Sequence, residues 1–384
     1  MLLASLAALV VAGCGGGGGD SAPPQLRVES NDQQGVAKLG FPSVATRNTT
    51  RVGGADAASD AAGVANAVFP ATSDATRPSA VVIVGSTDWQ GGIAASALAA
   101  APVRAPVLLA QGGELPAVTT DSLQRLSPKG AELAKGAQVI RVGDVPDPGG
   151  QLRSDLVRGT NPYEAAAAID RLSSAARGQP SDDVIVASGE RPEFAMPAAA
   201  WAGNSGDSVL FAARDQLPAP TRNALKAHDR PRIFLLGPSS VVSPRVEAEL
   251  RSLGEVTRVA GDTPVQNAIA FARFQSKGFG WGITIPGFNF TLASTSRPLD
   301  AASSAALATN GVFAPLLLTD QTDRLPASLE SYFLDIQPGY QKDPREGVYN
   351  RVWLLGDEST ISRGVQGRLD ELTELIPVDP RPRK

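Results

Sequence analysis

Histidine and cysteine are almost absent from this chain of 384 residues, which contains one of each, His228 and Cys14. A zinc hydrolase needs two or three histidine or cysteine ligands, and a Ser-His-Asp triad would have to use His228. The polar stretch 227–230 around His228 predicts a solvated surface residue rather than a catalytic base. No phosphate-binding P-loop is present either. We therefore expect no metal site, no catalytic residue and no cofactor.

Excess positive charge is also lacking. The formal net charge is −4, so the chain has no basic footprint of the kind that binds nucleic acid. After residue 14 no stretch is apolar enough to cross a bilayer. Because 42% of the residues are hydrophobic and 19% are charged, the chain can bury a core. We exclude nucleic acid as a partner and expect a folded body with a buried core.

The first fourteen residues resemble a bacterial lipobox. An apolar stretch ends in Val11-Ala12-Gly13-Cys14, and small residues before a single cysteine suit a lipoprotein signal peptidase. We expect a signal peptide at 1–13, acyl chains such as palmitate on Cys14, and a Gly/Pro-rich tether at 14–47. Two acyl chains suffice for stable anchoring in a membrane. The alternative is an ordinary secretory peptide with an incidental cysteine, and the apolar stretch lacks the usual preceding Lys or Arg.

Three landmarks recur in the same order three times, which indicates a duplicated structural unit. They are an arginine opener, an apolar run that ends in Leu-Pro, and an apolar run that closes with glycine. The openers are Arg51, Arg158 and Arg258, the Leu-Pro steps end at Pro116, Pro218 and Pro326, and the closing glycines are Gly143, Gly237 and Gly356. These landmarks predict repeat 1 at 48–152, repeat 2 at 153–254 and repeat 3 at 255–378, followed by a tail at 379–384.

Repeat 2 shows the elements of the unit most clearly. Apolar runs of four to six residues, such as 183–188, alternate with segments of helical periodicity, the first of which begins near Pro162. Such runs are typical of strands in a parallel sheet that helices cover on both faces. Each repeat is therefore expected to be a doubly wound α/β unit with about four strands. The Leu-Pro steps and Ser243-Pro244 indicate helix starts, where the missing N–H of proline is not needed.

An aromatic insertion at 278–290 distinguishes repeat 3 from the other two. Its aromatic residues are Phe279, Trp281, Phe288 and Phe290. They either offer a stacking surface to a sugar or form a local hairpin with its own small core. We favour the core.

Motifs within the repeats resemble the cell-wall-binding repeat 2 family. The openers read RVGGADAASDAA, RGTNPYEAAAA and RVAGDTPVQNAIA, and the A-P-(I/V)-L-L element of the family reads APVLLA and APLLLT. The closing stretches read IFLLGPSSVVS and VWLLGDESTIS, but the second glycine of this family element is lost in all three repeats. The resemblance covers about 48–378. It implies three tandem Rossmann-like modules with parallel sheets in a pseudo-threefold arrangement, and non-covalent binding of anionic secondary cell-wall polymers.

The resemblance also implies ligand contacts at the apolar segments, and the recurring arginines are further candidates for ligand contact. In this chain those residues are Arg51, Arg158, Arg258, Val107, Leu108, Leu109, Val209, Leu210, Phe211, Leu316, Leu317 and Leu318. An acidic protein that binds an anionic polymer must concentrate positive charge locally. Arginines at equivalent positions would do this near the grooves between modules. Alternatively, each arginine pairs with a neighbouring aspartate or a helix C-terminus, and both interpretations stay open.

The leading functional hypothesis is a non-catalytic, lipid-anchored envelope protein that binds a cell-wall glycopolymer, at the extracytoplasmic face of the cell membrane and in the cell wall. Binding would occur at the carboxyl ends of the strands or in grooves between modules. The alternatives are a solute-binding lipoprotein for a small molecule and a degenerate structural spacer. A glycosidase would need a carboxylate pair, such as Glu190 with Glu193 or Asp56 with Asp60, but the repeats do not place carboxylates equivalently.

Overall fold

The computed structural model describes residues 43–132, 135–309 and 312–378. The expected signal peptide, Cys14, most of the expected tether and the tail at 379–384 lie outside the described residues. Residues 43–45 form a strand, so the expectation of a tether as far as residue 47 is corrected at this point. Within the described ranges, no helix has the length and apolar character needed to cross a membrane.

The first part of the fold extends from residue 43 to 157. Its strands are β1 (Ser43–Ala45), β2 (Thr49–Val52), β3 (Val81–Gly85), β4 (Val107–Ala110), β5 (Val139–Val142) and β6 (Ser154–Val157). Its α-helices are α1 (Ala57–Val68), α2 (Trp89–Ala95) and α3 (Ala117–Leu126), and a 3-10 helix at Ser96–Ala99 continues α2.

The second part alternates strands and helices as the sequence of repeat 2 predicts. Its strands are β7 (Asp183–Ser188), β8 (Ser208–Ala212), β9 (Arg232–Leu236) and β10 (Glu255–Val259). Its helices are α4 (Pro162–Arg177), α5 (Pro192–Ala195), α6 (Pro197–Ser205), α7 (Ala219–Ala227) and α8 (Pro244–Arg251). The predicted strand at 183–188 and the predicted helix start at Pro162 are confirmed.

The third part contains the longest insertions. Its strands are β11 (Asn289–Ser294), β12 (Leu316–Thr319), β13 (Gly339–Tyr340), β14 (Arg351–Leu355) and β15 (Ile376–Pro377). Its helices are α9 (Pro264–Arg273), α10 (Asp300–Ala308), α11 (Ala327–Asp335) and α12 (Arg363–Thr373). The Leu-Pro prolines Pro116, Pro218 and Pro326 directly precede α3, α7 and α11, where each occupies the N-cap. Their predicted role at helix starts is confirmed.

Each repeat begins its first helix with the same device. A capping side chain accepts a hydrogen bond from the backbone N–H three residues later, at 2.8, 3.0 and 3.2 Å in the three repeats. Two residues before each cap stands a glycine whose added Cβ would overlap atoms of the helix. The caps are Asp56, Asn161 and Thr263, and the glycines are Gly54, Gly159 and Gly261. Only glycine allows the opener strand to pass so close to the helix.

Three parallel sheets carry the fold, and the repeats exchange strands between them. Sheet 1 has the order β4-β3-β5-β6, sheet 2 the order β8-β7-β9-β10, and sheet 3 the order β12-β11-β14-β2-β1. In each case the opener strand of one repeat joins the sheet of the repeat before it. The opener strand of repeat 1, β2, pairs in parallel with β14 of repeat 3, and only β1 runs antiparallel. The chain therefore closes on itself as a ring of three sheets.

The centre of the ring is built from equivalent helices of the three repeats. Helix α2 with its 3-10 extension, helix α6 and helix α10 pack against one another. Towards the outside, α2 contacts α4, α5 contacts α9, and α10 contacts α1, so each repeat meets the first helix of the next. Small residues let these helices approach closely, and Gly203 lies against the backbone of Ala305. This cyclic pattern is the pseudo-threefold arrangement that the family resemblance implies.

The aromatic insertion of repeat 3 belongs to the core. Phe279 is fully buried, stacks on Phe234 with ring centroids 3.5 Å apart, and contacts Trp201 at 4.9 Å. A backbone bridge between Ser276 and Phe279 forms the tight hairpin. The predicted hairpin is confirmed, but its rings do not form a small core of their own. Phe279 extends the core of sheet 2, whereas Phe290 on β11 packs in the core of sheet 3.

His228 is buried, and its predicted place on the solvated surface is wrong. The Nδ1 atom of His228 lies 2.7 Å from the carbonyl oxygen of Ser181, and Nε2 lies 2.8 Å from Oδ1 of Asp170. The hydroxyl of Ser208 donates to the same carboxylate oxygen at 2.5 Å. Burial alone would lower the pKa of His228, but the hydrogen bond and charge of Asp170 raise it above its usual value. This pair links α4 to the end of α7.

Candidate ligand-binding site

The sheet register shows that the three opener arginines are not equivalent. Arg51 pairs with Leu354 and Arg258 pairs with Leu235, in each case two residues before the closing glycine of the neighbouring strand. In sheet 1 the corresponding pair is Leu156 with Arg141. The expectation that Arg158 shares the position of the other two is therefore wrong, because Arg158 lies two residues further along the chain.

Arg51 and Arg258 hold loops of the protein itself. Arg51 donates from Nη1 to the carbonyl oxygens of Gly356 and Asp357 at 2.9 and 3.0 Å, and from Nε to the amide oxygen of Gln366 at 3.0 Å. Arg258 donates to the carbonyl oxygens of Gly237 and Val242 at 2.7 and 3.0 Å and forms an ion pair with Glu247 on α8. Each guanidinium therefore joins an opener strand to the loop and helix that follow a closing glycine.

Sheet 1 achieves the same contact from the neighbouring strand. Arg141 on β5 donates to the carbonyl oxygen of Val145 at 3.2 Å and lies 3.2 Å from the carboxylate of Asp147. The guanidinium and the leucine have exchanged places across the ladder, since Leu156 occupies the opener position. In all three sheets an arginine therefore binds the loop that follows the closing glycine. In sheets 2 and 3 this arginine lies on the opener strand, and in sheet 1 it lies on the neighbouring strand β5.

Arg158, which lies two residues after the opener position, faces solvent. Among the described residues it has no hydrogen bond or ion pair for its guanidinium, and it lines two adjoining cavities of about 450 and 480 Å³. The first cavity lies at the carboxyl end of sheet 1, next to Gly143 and Thr160. The second follows the groove between α4 and α7, where Arg171 and Asn223 contribute their side chains. We call these two cavities together the Arg158 groove.

The Arg158 groove is lined by three acidic residues, Asp144, Glu164 and Asp170, none of which forms an ion pair with its arginines in the described structure. The carboxylate of Glu164 accepts hydrogen bonds from the backbone N–H and the hydroxyl of Thr160, at 2.9 and 2.6 Å. Asp170 is bound to His228. Arg171 is exposed and, like Arg158, has no ion pair among the described residues. Sequence reasoning missed Arg171 and Asn223, because their closeness to Arg158 depends on how α4 packs against α7.

The apolar segments predicted to contact a ligand lie inside the protein. They form β4, β8 and β12, which are edge strands of the three sheets. None of their predicted side chains is more than 2% exposed, as holds for Val107, Leu108, Leu109, Val209, Leu210, Phe211, Leu316, Leu317 and Leu318. The ligand role predicted for them stays a prediction, and only the loops that flank these strands are accessible to a polymer.

A buried cluster of charges lies where repeat 3 meets repeat 1. Arg297 contacts the carboxylate of Asp60, lies 3.0 Å from that of Asp300, and donates to the carbonyl oxygen of Gly54 at 3.2 Å. Both carboxyl groups are fully buried. Burial and the charge of Asp300 raise the pKa of Asp60 to about 9, and burial raises the pKa of Asp300 to about 7. One cation therefore serves two buried acids, and burial favours the protonated form of both.

The carboxylates considered for glycosidase chemistry have structural partners. Asp56 caps α1, and Asp60 belongs to the buried cluster. Glu190 accepts a hydrogen bond from the backbone N–H of Arg214 at 3.0 Å, and Glu193 forms an ion pair with Arg191 at 2.6 Å. In the described part of the chain, no group of three or more His, Cys, Asp or Glu side chains is arranged to hold a metal ion.

Three parallel sheets closed into a ring, with an exposed arginine groove at a module boundary, define a tandem-repeat α/β protein. The family model of Cell wall binding domain 2 (CWB2) matches residues 157–247 and 258–366, which together exceed half of the chain. The chain belongs to this family. Repeat 1 lies almost wholly outside the matched ranges, although sheet 1 has the same strand order as sheet 2.

Solved structures with the same fold include Cwp6 and Cwp8 from Clostridium difficile. They match this chain with TM-scores of 0.64 and 0.65 at 18% and 20% sequence identity. Each match covers 85% of this chain but 52% of the solved chain, so this protein spans about half the length of those structures. At this level of identity the likeness concerns the fold. No curated protein matches the chain.

Proposed function

We propose that this protein is a lipid-anchored, non-catalytic protein of the cell envelope that binds a cell-wall glycopolymer. The observation that carries the proposal is the match of the cell-wall-binding family model to two tandem ranges of the chain. The ring of three modules supports it, because a body with several related faces suits a repetitive polymer better than a small solute. Anchoring through Cys14 rests on the lipobox-like sequence Val11-Ala12-Gly13-Cys14.

We place the main polymer contact in the Arg158 groove. Arg158 and Arg171 are exposed cations without a partner in the described structure, whereas Arg51 and Arg258 already bind carbonyl oxygens. A guanidinium binds a carboxylate or a phosphate with two parallel hydrogen bonds, which fixes both distance and orientation. The groove is open along its length, as an extended chain requires.

The proposal is tested by sedimentation of the purified residues 43–378 with isolated Gram-positive cell walls. We expect co-sedimentation at low salt that weakens as the ionic strength rises, because exposed charges are screened over about 10 Å at 0.1 M salt. Arg158→Gln should weaken binding about tenfold, as the loss of one charge-assisted contact does. Arg245→Gln, which removes an equally exposed charge from α8, serves as the matched control.

Two outcomes would contradict different parts of the proposal, namely polymer binding itself and the role of the Arg158 groove. Absence of wall binding by the unchanged protein at low salt would remove the polymer function altogether. Equal loss of binding in the Arg158 and Arg245 variants would leave only a general charge effect and no specific groove. The anchor is tested separately, since Cys14→Ser should move the full chain from the membrane fraction to the soluble fraction of expressing cells.

A further inference from the structure

A polar groove of about 590 Å³ lies at the amino ends of the strands of sheet 3, on the side opposite to the strand ends where α/β proteins usually bind ligands. It is lined by side chains of Asn48, Asn289, Tyr349, Arg351 and Trp353, among others. Tyr349 is 48% exposed, so its ring is available as a contact surface. We call this cavity the Arg351 groove.

Three of the lining residues form one row across adjacent strands. Asn289 on β11 pairs with Arg351 on β14. Asn48 directly precedes β2 and binds the next residue of β14 through its backbone, with the N–H of Val352 donating to its carbonyl oxygen at 3.0 Å. Opposite residues of neighbouring strands point to the same face of a sheet. The row therefore places Arg351 between Asn48 and Asn289.

Arg351 has no partner of its own in the described structure. The amide nitrogen of Asn289 donates to the carbonyl oxygen of Val312 at 2.8 Å, which leaves its oxygen free. Two acidic residues are bound to Asn48 and Arg47, which both line the groove, and neither acid pairs with Arg351. Asp370 accepts from the backbone N–H of Asn48 at 3.0 Å, and Glu374 forms an ion pair with Arg47 at 2.9 Å.

Sheet 2 shows what the same row looks like when the arginine is neutralised. Arg232 begins β9 as Arg351 begins β14, five residues before the closing glycine in both strands. The residues opposite Arg232 are Asp183 on β7 and Glu255 on β10. Arg232 forms an ion pair with Asp183 at 2.6 Å and donates to the carbonyl oxygen of Lys277 at 3.1 Å.

Sheet 3 thus keeps the arginine and replaces both acidic neighbours by asparagine. An amide has the shape of a carboxylate but no charge, so the row retains its hydrogen-bonding groups and loses its anion. Arg232 is also held by the carbonyl oxygen of Lys277, which directly precedes the aromatic insertion, whereas Arg351 opens into a groove. The position that Asp183 fills in sheet 2 is open to an external acid in sheet 3.

We propose that the Arg351 groove binds an acidic saccharide unit, with its carboxylate or phosphate on Arg351, its hydroxyl groups on Asn48 and Asn289, and its apolar ring face against Tyr349. A guanidinium recognises either acid in a bidentate manner, and an exposed aromatic ring provides a flat apolar surface. The inference rests on the proposed function, since the saccharide is taken to be a unit of the wall polymer. It adds a second polymer contact at the amino ends of the strands of sheet 3, whereas the Arg158 groove begins at the carboxyl ends of the strands of sheet 1.

The test compares wall binding by five forms of residues 43–378, which are the unchanged protein and the variants Arg351→Gln, Asn289→Asp, Arg232→Gln and Arg158→Gln. The probes are isolated Gram-positive walls before and after acid extraction of their anionic polymer. Arg351→Gln should lower affinity about tenfold for unextracted walls and leave the residual binding to extracted walls unchanged. Asn289→Asp should have a similar effect, because the new carboxylate can pair with Arg351 as Asp183 pairs with Arg232. Arg232→Gln is the matched control and should bind as the unchanged protein does.

The outcomes separate the two proposals. Normal binding by the folded Arg351→Gln protein, together with weakened binding by Arg158→Gln, would overturn this inference and leave the proposed function intact. Failure of the unchanged protein to bind walls would overturn both. Because Arg351 is exposed, circular dichroism and thermal melting of Arg351→Gln should match the unchanged protein, and this variant decides the result if Asn289→Asp does not fold.

Discussion

Two junctions between repeats have the same backbone geometry, but one contains a buried cluster of charges and the other a neutral asparagine. At the junction of repeats 3 and 1, Asp60 accepts from the N–H of Gly54 at 2.8 Å and meets Arg297. At the junction of repeats 2 and 3, Asn267 takes the equivalent place, six residues after Gly261, and donates to the carbonyl oxygen of Phe194 at 3.2 Å. A neutral amide therefore satisfies the same position that elsewhere requires a buried cation and a second acid.

This difference shows that the charged junction is not demanded by the fold. Taking charges out of water is unfavourable, and a buried ion pair often adds little stability compared with a neutral replacement. We expect the stability of the charged junction to depend on pH and on every member of the cluster. The stability of the neutral junction should not depend on pH, because an amide does not titrate.

The largest effect is expected from removal of the shared cation. Arg297→Leu leaves two buried acids without a positive charge, so the free energy of unfolding at pH 8 should fall by about 3–5 kcal/mol. Urea denaturation measures this change. The control is Arg191→Leu, which removes the arginine at the corresponding place of repeat 2, where its side chain is 55% exposed and pairs with Glu193. That variant should change stability by less than about 1 kcal/mol, and equal losses in both would contradict a special role of the cluster.

A smaller effect is expected at the neutral junction. Asn267→Ala removes the hydrogen bond to Phe194 and leaves a buried carbonyl oxygen without its donor, so stability should fall by about 1–3 kcal/mol. Thermal unfolding at pH 6 and pH 9 should give the same difference, because the amide does not titrate. A difference that grows with pH would show that this junction also depends on a nearby charge.

The pH dependence of the charged junction is the finest test. Asp60 and Asp300 have pKa values raised to about 9 and about 7 from an ordinary value of 3.8. The folded protein thus binds these protons more tightly than the unfolded chain, and the stability linked to them is complete below pH 4 and lost as pH rises towards 9. Asp60→Asn should flatten the fall in unfolding free energy between pH 7 and pH 9 by up to about 1.4 kcal/mol per pH unit.

His228 contributes a decline of the same sign, since its pKa is also raised and its stabilising charge is lost at higher pH. The comparison of Asp60→Asn with the unchanged protein cancels this contribution, because both proteins keep His228. An unchanged slope in the Asp60→Asn protein would show that the cluster does not hold an extra proton at neutral pH.

The sequence predicts the alternation of strands and helices well, because buried parallel strands appear as uninterrupted apolar runs such as 183–188. It does not predict contacts that depend on register. Arg158 stands next to the opener position in the sequence, but the pairing of Leu156 with Arg141 shows that it occupies a different one. His228 lies in a polar stretch, yet its partners Ser181 and Asp170 are 47 and 58 residues away in the chain.

The sequence predicts the candidate site only in part, because some of its contacts depend on packing. The repeat pattern predicts Arg158, whereas Arg171 and Asn223 become its neighbours only when α4 packs against α7. The unpaired charge of Arg351 is recognised only by comparing its row with that of Arg232, and each row joins residues from three separate parts of the chain.

Strand β2, near the start of the described chain, completes sheet 3, whose other main strands lie near its end. A single sequence repeat is therefore not a unit that can fold by itself. A fragment cut out as repeat 3 alone, 255–378, would leave the β14 edge of its sheet unpaired and carry β10, which belongs to sheet 2. Open strand edges invite pairing with other copies. Expression of single repeats should therefore give aggregates or swapped oligomers. A circular permutant that begins at Glu255 and ends at Gly254, with residue 378 joined to residue 43 by a linker, keeps every strand pair.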